Sequence, residues 1–407
     1  MEDQPNQFSG RVAVVGAGPV GLTSALALKA RGLSPIVVEA DPEDKPRRGS
    51  RALFIHNQPI AELEKLDPGL AKEILEEGLL WNARRYFYRG REFFVRAFNQ
   101  VPDITYGSSL PQQVTERILR AACQRKGIEI RWNTSAIRME SREDGVSLLL
   151  SDGTQVSADF VIGADGAKST VRKSVGIELK GEATDSRWVI IDLAALDDES
   201  DHKELSFHYA HPGVGGRNVL ILPFKGGWRL DIEARTDEEL HTFSDPAEIR
   251  NWLPNVMDAR YCDKIDFVST YRFYQLAAER FADSHRRVLL VGEAAHLFPP
   301  FGGRGLNSGI MDAASAAEAI SLSLAEPTRE ARYRHVDAFE QDRREAAYFN
   351  MESAAIGVDM MAPRTLRDRI KREWLALRTR WSSNAARVLS SGPNGRAGGR
   401  PGKTLIY

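Results

Sequence analysis

Cysteine is nearly absent from this chain. Cys123 and Cys262 are the two in 407 residues, far apart in sequence. They make neither a disulfide framework nor a metal-type spacing, and free thiols in a reducing cytoplasm are expected. The eight histidines are scattered, which leaves no zinc or iron ligand pattern. No apolar run is long enough to span a bilayer. The first residues, MEDQPNQFSG, lack the basic and apolar pattern of a secretory signal. Neither sign of charge prevails: 55 Lys and Arg stand against 56 Asp and Glu, so nothing global calls for a nucleic-acid partner. There is no internal repeat. No serine sits in a nucleophile-elbow context, Ser169 included. What remains is an ordinary globular composition, 42% hydrophobic and 27% charged, long enough for two domains.

The most informative stretch is RVAVVGAGPVGLTSALALKARGLSPIVVE, residues 11–39. An apolar run, Val12 to Val15, enters Gly16, Gly18 and Gly21. A helical pattern starts at Pro19 and Val20 and stops at Gly32. A second apolar run then ends on Glu39 and Ala40. This strand–turn–helix–strand unit is built to hold a dinucleotide. Gly16 makes the tight turn, Gly18 admits a pyrophosphate and Gly21 lets the helix lie close to the strand. The helix N-terminus offers unpaired N–H groups to the phosphates. Glu39 can accept hydrogen bonds from a ribose. The unit alone does not choose between NAD and FAD.

Further along, Arg47, Arg48 and Arg51 form a small basic cluster. Residues 57–80 read as helical and 81–98 as a hairpin around Arg89-Gly90-Arg91. Residues 111–126 read as a helix, and 128–132, 146–150 and 155–162 as strands. From 186 to 235 the pattern is β-rich and aromatic. Residues 365–381 form a helix with Leu366, Ile370, Trp374, Leu377 and Trp381 on one stripe and many basic residues elsewhere. That stripe is expected to pack on the protein body; membrane association, the other use of such a helix, is not expected. Residues 390–403 read as a flexible tail.

Two later blocks choose the cofactor. One is DFVIGADGAKSTVRKSVGIE, residues 159–178, and the other RVLLVGEAAHLFPPFGGRGLNSGIMDAASAA, residues 287–317. With the first block, and in this order, they resemble the FAD-dependent aromatic hydroxylases, the single-component flavoprotein monooxygenases of the para-hydroxybenzoate hydroxylase type. The resemblance covers roughly residues 10–345. It implies an α/β fold: a Rossmann-like FAD-binding domain, an inserted antiparallel-sheet substrate domain and a C-terminal helical segment. It implies FAD contacts at Gly16, Gly18, Pro19, Val20, Gly21, Glu39 and Ala40. It implies others at Arg51, Gln112, Asp165, Gly166, Pro300, Gly303, Gly305, Leu306 and Asn307. Arg51 and Pro300 would lie near the flavin's reactive part. The block at 292 departs from the family by carrying Glu293 where aspartate is usual. Glu293 is expected to take over the ribityl contact. Leu276 stands where relatives often have arginine.

The resemblance implies that NADPH or NADH reduces the flavin. Oxygen then forms a hydroperoxide at its C4a carbon, and one oxygen atom passes to an aromatic, phenolic small molecule. The partners are therefore that substrate and O2, with monomer and homodimer both open. The expected division is 1–80, 101–180 and 276–345 for the FAD-binding domain. The hairpin 81–100 and residues 181–275 form the substrate domain, 346–389 the C-terminal helices and 390–407 the tail. Substrate contacts are sought among His208, Tyr209, His211, Phe224, Trp228, Tyr271 and Tyr274. His208, His211 and Tyr209 are the candidates for proton transfer. Other readings are a Baeyer–Villiger or epoxidising oxygenase on the same scaffold, and a non-catalytic FAD-binding protein. A halogenase lacks its Trp-x-Trp-x-Ile-Pro segment here. A plain NAD-dependent dehydrogenase leaves residues 159–178 and 287–317 unexplained.

Overall fold

The computed structural model describes residues 7–45, 52–98, 107–198, 203–363 and 365–392. Arg47, Arg48, Arg51 and the tail from 393 onward lie outside them. Val12, Ala13, Val14 and Val15 are all buried. A strand apolar on both faces needs both faces covered, the condition of a parallel sheet. Strand Gln7–Val15 accordingly lies inside a seven-stranded sheet, parallel to Pro35–Val38 on one side and Gln155–Gly163 on the other. The outer edge of Gln155–Gly163 is shared. Its first half pairs antiparallel with Gly145–Leu150 and its second half parallel with Val288–Leu290. Helix Pro19–Ala30 packs against helices Gln112–Arg125 and Arg304–Ala325. Gly21 through Leu28 are all buried, so this helix carries no polar face over that span.

The second sheet has eight strands. Their order is His296–Leu297, Ile265–Ala278, Leu179–Ala194, Gly227–Ala234, Arg217–Phe224, Glu204–His211, Ala83–Tyr88 and Arg91–Ala97. Neighbours are antiparallel except Ala83–Tyr88 beside Glu204–His211. The last two strands form a hairpin through Arg89 and Gly90, both at positive φ (49° and 79°), which suits the twist of a two-residue turn. One face of this sheet buries Val189, Ile191, Leu230 and Ile232 with Trp252 of helix Pro246–Trp252. Trp188, Phe207, Tyr209 and Phe273 pack with Phe301, Met361 and Leu389 in a separate aromatic core. The architecture is thus α/β, with an antiparallel sheet beside the nucleotide-type sheet and a helical C-terminal segment.

Several local expectations need correction. Residues 57–80 hold two helices, Asn57–Leu66 and Leu70–Glu77, because Pro68-Gly69 interrupts them and Gly69 sits at φ 100°. Ala136–Arg142 is an additional strand, and the expected substrate domain also holds two helices, Asp237–Ser244 and Pro246–Trp252. The expected boundary at 345/346 falls inside one 33-residue helix, Arg329–Met361. The boundaries at 180/181 and 275/276 fall inside strands Leu179–Ala194 and Ile265–Ala278. The apolar stripe of helix Leu366–Arg378 does not pack on the body; it faces solvent. Other residues hold this helix: Ala376 and Leu375 pack in the aromatic core, Arg372 Nη1 donates to the Met361 carbonyl (2.7 Å), and Glu373 accepts from the Tyr88 hydroxyl (2.5 Å). No helix among the described residues is long and apolar enough to cross a membrane.

Candidate functional site

The three sequence blocks converge at one edge of the first sheet. Val15, Val38, Gly163 and Leu290 end neighbouring parallel strands, so the loops that follow them gather at the carboxyl ends. Open α/β sheets bind ligands at such a place. A cavity of about 780 Å³ opens there and runs on to the second sheet. Its lining includes Gly16, Gly18, Pro19, Val20, Glu39 and Ala40 from the first block, and Asp165 and Gly166 from the second. Glu293, Pro300, Gly303, Gly305 and Leu306 come from the third, and Gln112 opens a helix beside them.

The first turn is built from close approaches. A Cβ on Gly16 would lie 2.4 Å from the Ala164 carbonyl oxygen, and one on Gly21 would lie 1.9 Å from that of Gly16. Gly18 differs: its Cβ direction meets nothing within 4 Å, and it is the N-cap of helix Pro19–Ala30 with no side chain bonded there. The helix N-terminus therefore faces open cavity, the arrangement that receives a phosphate. Glu39 accepts from the backbone N–H of Ala17 (2.6 Å) and of Asp41 (3.0 Å) while lining the cavity. Its carboxylate is thereby held at the end of the second strand, where a ribose would lie. A second helix N-terminus, that of Arg304–Ala325, opens from Gly303 (φ 65°) into the same cavity.

The loops are fastened from behind. Asp165 caps the short helix Thr170–Ser174, accepting from Ser169 Oγ (2.5 Å) and from the N–H of Thr170 (2.7 Å) and Val171 (3.0 Å). Arg172 then donates to the Ala294 carbonyl (3.1 Å), tying the second block to the third. Asp312 accepts from the Gly292 N–H (3.1 Å), is paired to His296 Nε2 (2.6 Å) and accepts from Arg343 Nε (2.7 Å). Burial pushes the Asp312 carboxyl up, but Arg343 and His296 outweigh it and hold it below the ordinary value. Asn307, expected at the cofactor, does not line the cavity. Its amide is used to accept from the His56 N–H (2.9 Å) and to donate to the carbonyls of Phe54 (2.7 Å) and Gly303 (2.6 Å). Burial takes His56 down to about 3, so it is neutral, and its Nε2 donates to the Gly302 carbonyl (2.8 Å). Gly21 likewise lies behind the lining, against Gly16.

On the second sheet the cavity wall is mostly apolar, with Trp81, Leu205, Phe207, Leu220 and Leu222. Three charged side chains interrupt it. The Arg84 guanidinium lies over the rings of Phe54, Trp81 and Phe98, 5.4 to 5.7 Å from their centroids. Arg229 Nε donates to Asp231 Oδ1 (2.8 Å), and both side chains are buried. Burial raises the Asp231 carboxyl above its ordinary value against the pull of Arg229. Burial also raises the neighbouring Tyr271 hydroxyl well above 10, so it stays protonated.

None of the seven residues sought as substrate contacts lines the cavity. Strand alternation explains His208: Phe207 faces the cavity, so His208 turns to the opposite side and stacks on Phe87 at 4.4 Å. Burial, then His211, lowers His208 to about 3. His211 is spent on a turn, its Nδ1 accepting from the Gly213 N–H (3.1 Å). Tyr209 shares the Phe207 face but lies further along, donating to the Leu389 carbonyl (2.8 Å). Of the lining residues that sequence reasoning passes over, Arg84, Phe207, Arg229 and Asp231, one carries a readable signal. The period-two pattern Leu205-Ser206-Phe207-His208-Tyr209 already puts Phe207 and His208 on opposite faces.

Comparisons with known proteins agree on the class. The family described as "FAD binding domain" matches residues 10–354. The 3-(3-hydroxy-phenyl)propionate/3-hydroxycinnamic acid hydroxylase of Burkholderia cenocepacia is 30% identical over 376 residues, 88% of this chain and 66% of that protein. This chain thus spans just under two thirds of that relative. The para-nitrophenol 4-monooxygenase of a Pseudomonas species is 29% identical over 76% of this chain and 77% of its own. Among solved structures, the p-nitrophenol 4-monooxygenase PnpA of Pseudomonas putida superposes with a TM-score of 0.77 at 24% identity, covering 96% of this chain and 99% of that one. The flavin-dependent monooxygenase PieE, solved with FAD and substrate, gives 0.74 at 22% identity, covering 96% and 73%. These two likenesses concern the fold.

Proposed function

From the premise that the chain belongs to the FAD-dependent aromatic hydroxylase family, we propose that it hydroxylates a phenolic small molecule with NAD(P)H and O2. One observation carries the reading. The cavity that begins at the dinucleotide turn continues into an apolar chamber on the second sheet, charged only at Arg84 and the Arg229–Asp231 pair among the lining residues of that sheet. The dinucleotide end fits FAD: two helix N-termini face it, a glycine leaves space at the phosphate position, and the Glu39 carboxylate lines it.

Bound FAD supplies the redox chemistry, accepting a hydride from NAD(P)H and activating O2. One oxygen atom enters the ring and the other leaves as water. The protein's share is binding, orientation and exclusion of water. The turn at Gly16–Gly18 and the helix behind it receive the pyrophosphate. Glu39 and Ala40 flank the adenosine, with Gln112, Asp165, Gly166 and Glu293 along the chain of the cofactor. Pro300, Gly303, Gly305 and Leu306 border the flavin, and the helix dipole behind Gly303 favours negative charge there. Trp81, Phe207 and Leu220 keep the ring substrate dry. Asp231, its proton affinity raised by burial, takes the phenol proton, with Arg229 fixing its orientation. This role replaces the one sought at His208 and His211. A need for NAD(P)H fits an enzyme of the cytoplasm.

The test is direct. The FAD-loaded protein is mixed with NADH or NADPH and a panel of phenols that includes 3-(3-hydroxyphenyl)propionate and 4-nitrophenol. A substrate should accelerate NAD(P)H consumption, and its product formed under ¹⁸O2 should carry one labelled oxygen. Label arriving from water, or no phenol accelerating turnover, refutes the proposal.

A further inference from the structure

The helix Leu366–Arg378 has a second apolar face, which the body leaves uncovered. Its inner side holds the body, with Ala376 and Leu375 packed in the aromatic core, Arg372 on the Met361 carbonyl and Glu373 on Tyr88 and Arg89 (3.1 Å). The uncovered face points out: Leu366 is 72% exposed, Ile370 61%, Trp374 55% and Leu377 49%, and Trp381 just beyond the helix is 76%. A globular protein ordinarily buries such a stripe. Here five of the large exposed hydrophobic residues fall on one line, and Leu366 to Leu377 spans roughly 16 Å of helix. Cations flank that line: Arg367, Arg369, Lys371, Arg378 and Arg380 are all exposed. The Arg378 guanidinium lies 4.5 Å from the centroid of the Trp374 ring. The acids of the segment are engaged. Asp368 accepts from the Thr365 hydroxyl (2.6 Å) at the helix start, and Glu373 accepts from Tyr88 and pairs with Arg89.

We propose that this helix docks the protein on an anionic phospholipid surface, lying in the plane of the interface with its stripe inserted. The charge pattern selects that occupant. Cations flanking an apolar stripe meet acidic headgroups while the stripe enters the acyl boundary, and tryptophan prefers that boundary. A second copy of the chain is the poorer partner. A two-fold interface on this patch would bring two cation-flanked stripes together, like charge facing like, with the nearby acids already engaged. The stripe is carried by a single helix, which suits a lipid surface better than a partner that needs a pocket. None of the stripe residues lines the cavity of the candidate active site.

The test uses the FAD-loaded full chain and vesicles. One set is phosphatidylcholine alone, the other phosphatidylcholine with phosphatidylglycerol. Two variants accompany the native protein: Ile370→Ser with Trp374→Ser and Trp381→Ser, and Arg367→Gln with Lys371→Gln and Arg380→Gln. All six positions are exposed, and FAD content and circular dichroism serve as folding checks. The native chain should sediment with the phosphatidylglycerol vesicles, with a blue shift in tryptophan emission. Either variant, or vesicles without phosphatidylglycerol, should lower partitioning by about tenfold or more. Failure of the native chain to bind, equal binding to the neutral vesicles, or undiminished binding by both variants overturns the proposal. So does a native dimer that the serine variant turns into a monomer, because the stripe is then a self-interface.

Discussion

Gly18→Val separates the cofactor site from the fold, because the structure gives Gly18 a different environment from its neighbours. Its backbone is at φ −72°, ψ 178°, which any residue adopts, and a Cβ there meets nothing within 4 Å. Valine should therefore leave the protein without FAD folded and nearly as stable. The loss of a glycine N-cap costs some tenths of a kcal/mol, and the reduced freedom of the unfolded chain returns about 0.4–1 kcal/mol. With FAD the outcome changes. The open direction is the one through which a pyrophosphate approaches the helix N-terminus, and two branching methyl groups occupy it. Losing close phosphate contacts should weaken binding about a hundredfold, roughly 2.7 kcal/mol. If native protein is measured at about a thousand times its Kd, ligand linkage stabilises it by about 4.1 kcal/mol; the variant, then at ten times its Kd, keeps roughly 1.4 kcal/mol. The assay is paired: FAD titration by flavin fluorescence, and denaturant unfolding with and without FAD. Equal stability without FAD and a large deficit with it are expected. Full FAD content with an unchanged Kd refutes the placement of the pyrophosphate. A comparable loss without FAD refutes the claim that this position is free of structural constraint. Gly21→Ala is the contrasting control, since its Cβ would collide with the Gly16 carbonyl and damage the turn itself.

Four further outcomes are expected. Glu293→Ala should weaken FAD binding by about 1–3 kcal/mol while Glu293→Asp is tolerated, read as FAD dissociation constants; an unchanged constant for alanine means the carboxylate points elsewhere. Asp312→Asn should destabilise by about 3–5 kcal/mol, leaving Arg343 without its buried counter-charge. Because Asp312 is held below its ordinary value of 3.8, that deficit should be full above pH 4 and fade only on further acidification; a deficit that vanishes by pH 6 contradicts the assignment. His208→Asn should leave substrate-stimulated NAD(P)H consumption within about twofold, since the ring faces away from the cavity. The native His208 resists protonation from its ordinary 6.5 down to about 3, so native stability should fall more steeply than the variant's as pH drops below 6.5; parallel curves would count against its burial. Asp231→Asn should depress kcat by about tenfold or more at neutral pH with FAD retained and the loss eased by higher pH, and an unchanged pH profile removes Asp231 from the chemistry.

The dinucleotide unit was legible because its chemistry is local. Val12 to Val15, the glycine turn and Glu39 lie within thirty residues, and Gly21 answers to a contact inside its own turn. The pairing that brings residues 163 and 290 beside 15 is not local, and it was legible only through the family's three blocks. The substrate side was misread for a physical reason. Histidine and tyrosine were chosen for their titration, whereas orientation is decided by strand parity and by what covers each face. Tyr209 has the right parity but ends under helix Ser383–Ser390, a long-range contact that no local pattern encodes. Arg229 and Asp231 look like solvated strand residues in sequence, but their strand lies inside the sheet and both side chains are buried in the cavity wall. The stripe of helix Leu366–Arg378 was legible as a stripe, but not its direction, because Tyr88 and Arg89, which hold Glu373, come from a hairpin nearly three hundred residues earlier.

Strands Leu179–Ala194 and Ile265–Ala278 cross from one layer to the other without a break in the chain. Their outer ends, Leu179, Ala277 and Ala278, pack in the core of the first sheet, while Val189 and Ile191 belong to that of the second. The two strands are also paired to each other over most of that length, slipping register between Ala183 and Arg187. A pair of rods shared in this way cannot act as a door hinge, because swinging one layer on the other would bend a hydrogen-bonded ribbon. Traffic into the chamber must therefore pass by way of loops. The same rods mark where a transplant would have to be cut. A chimera that imports a relative's substrate sheet should be joined on both strands at the 183–187 slip, the one place near the crossing where the ribbon already tolerates a mismatch.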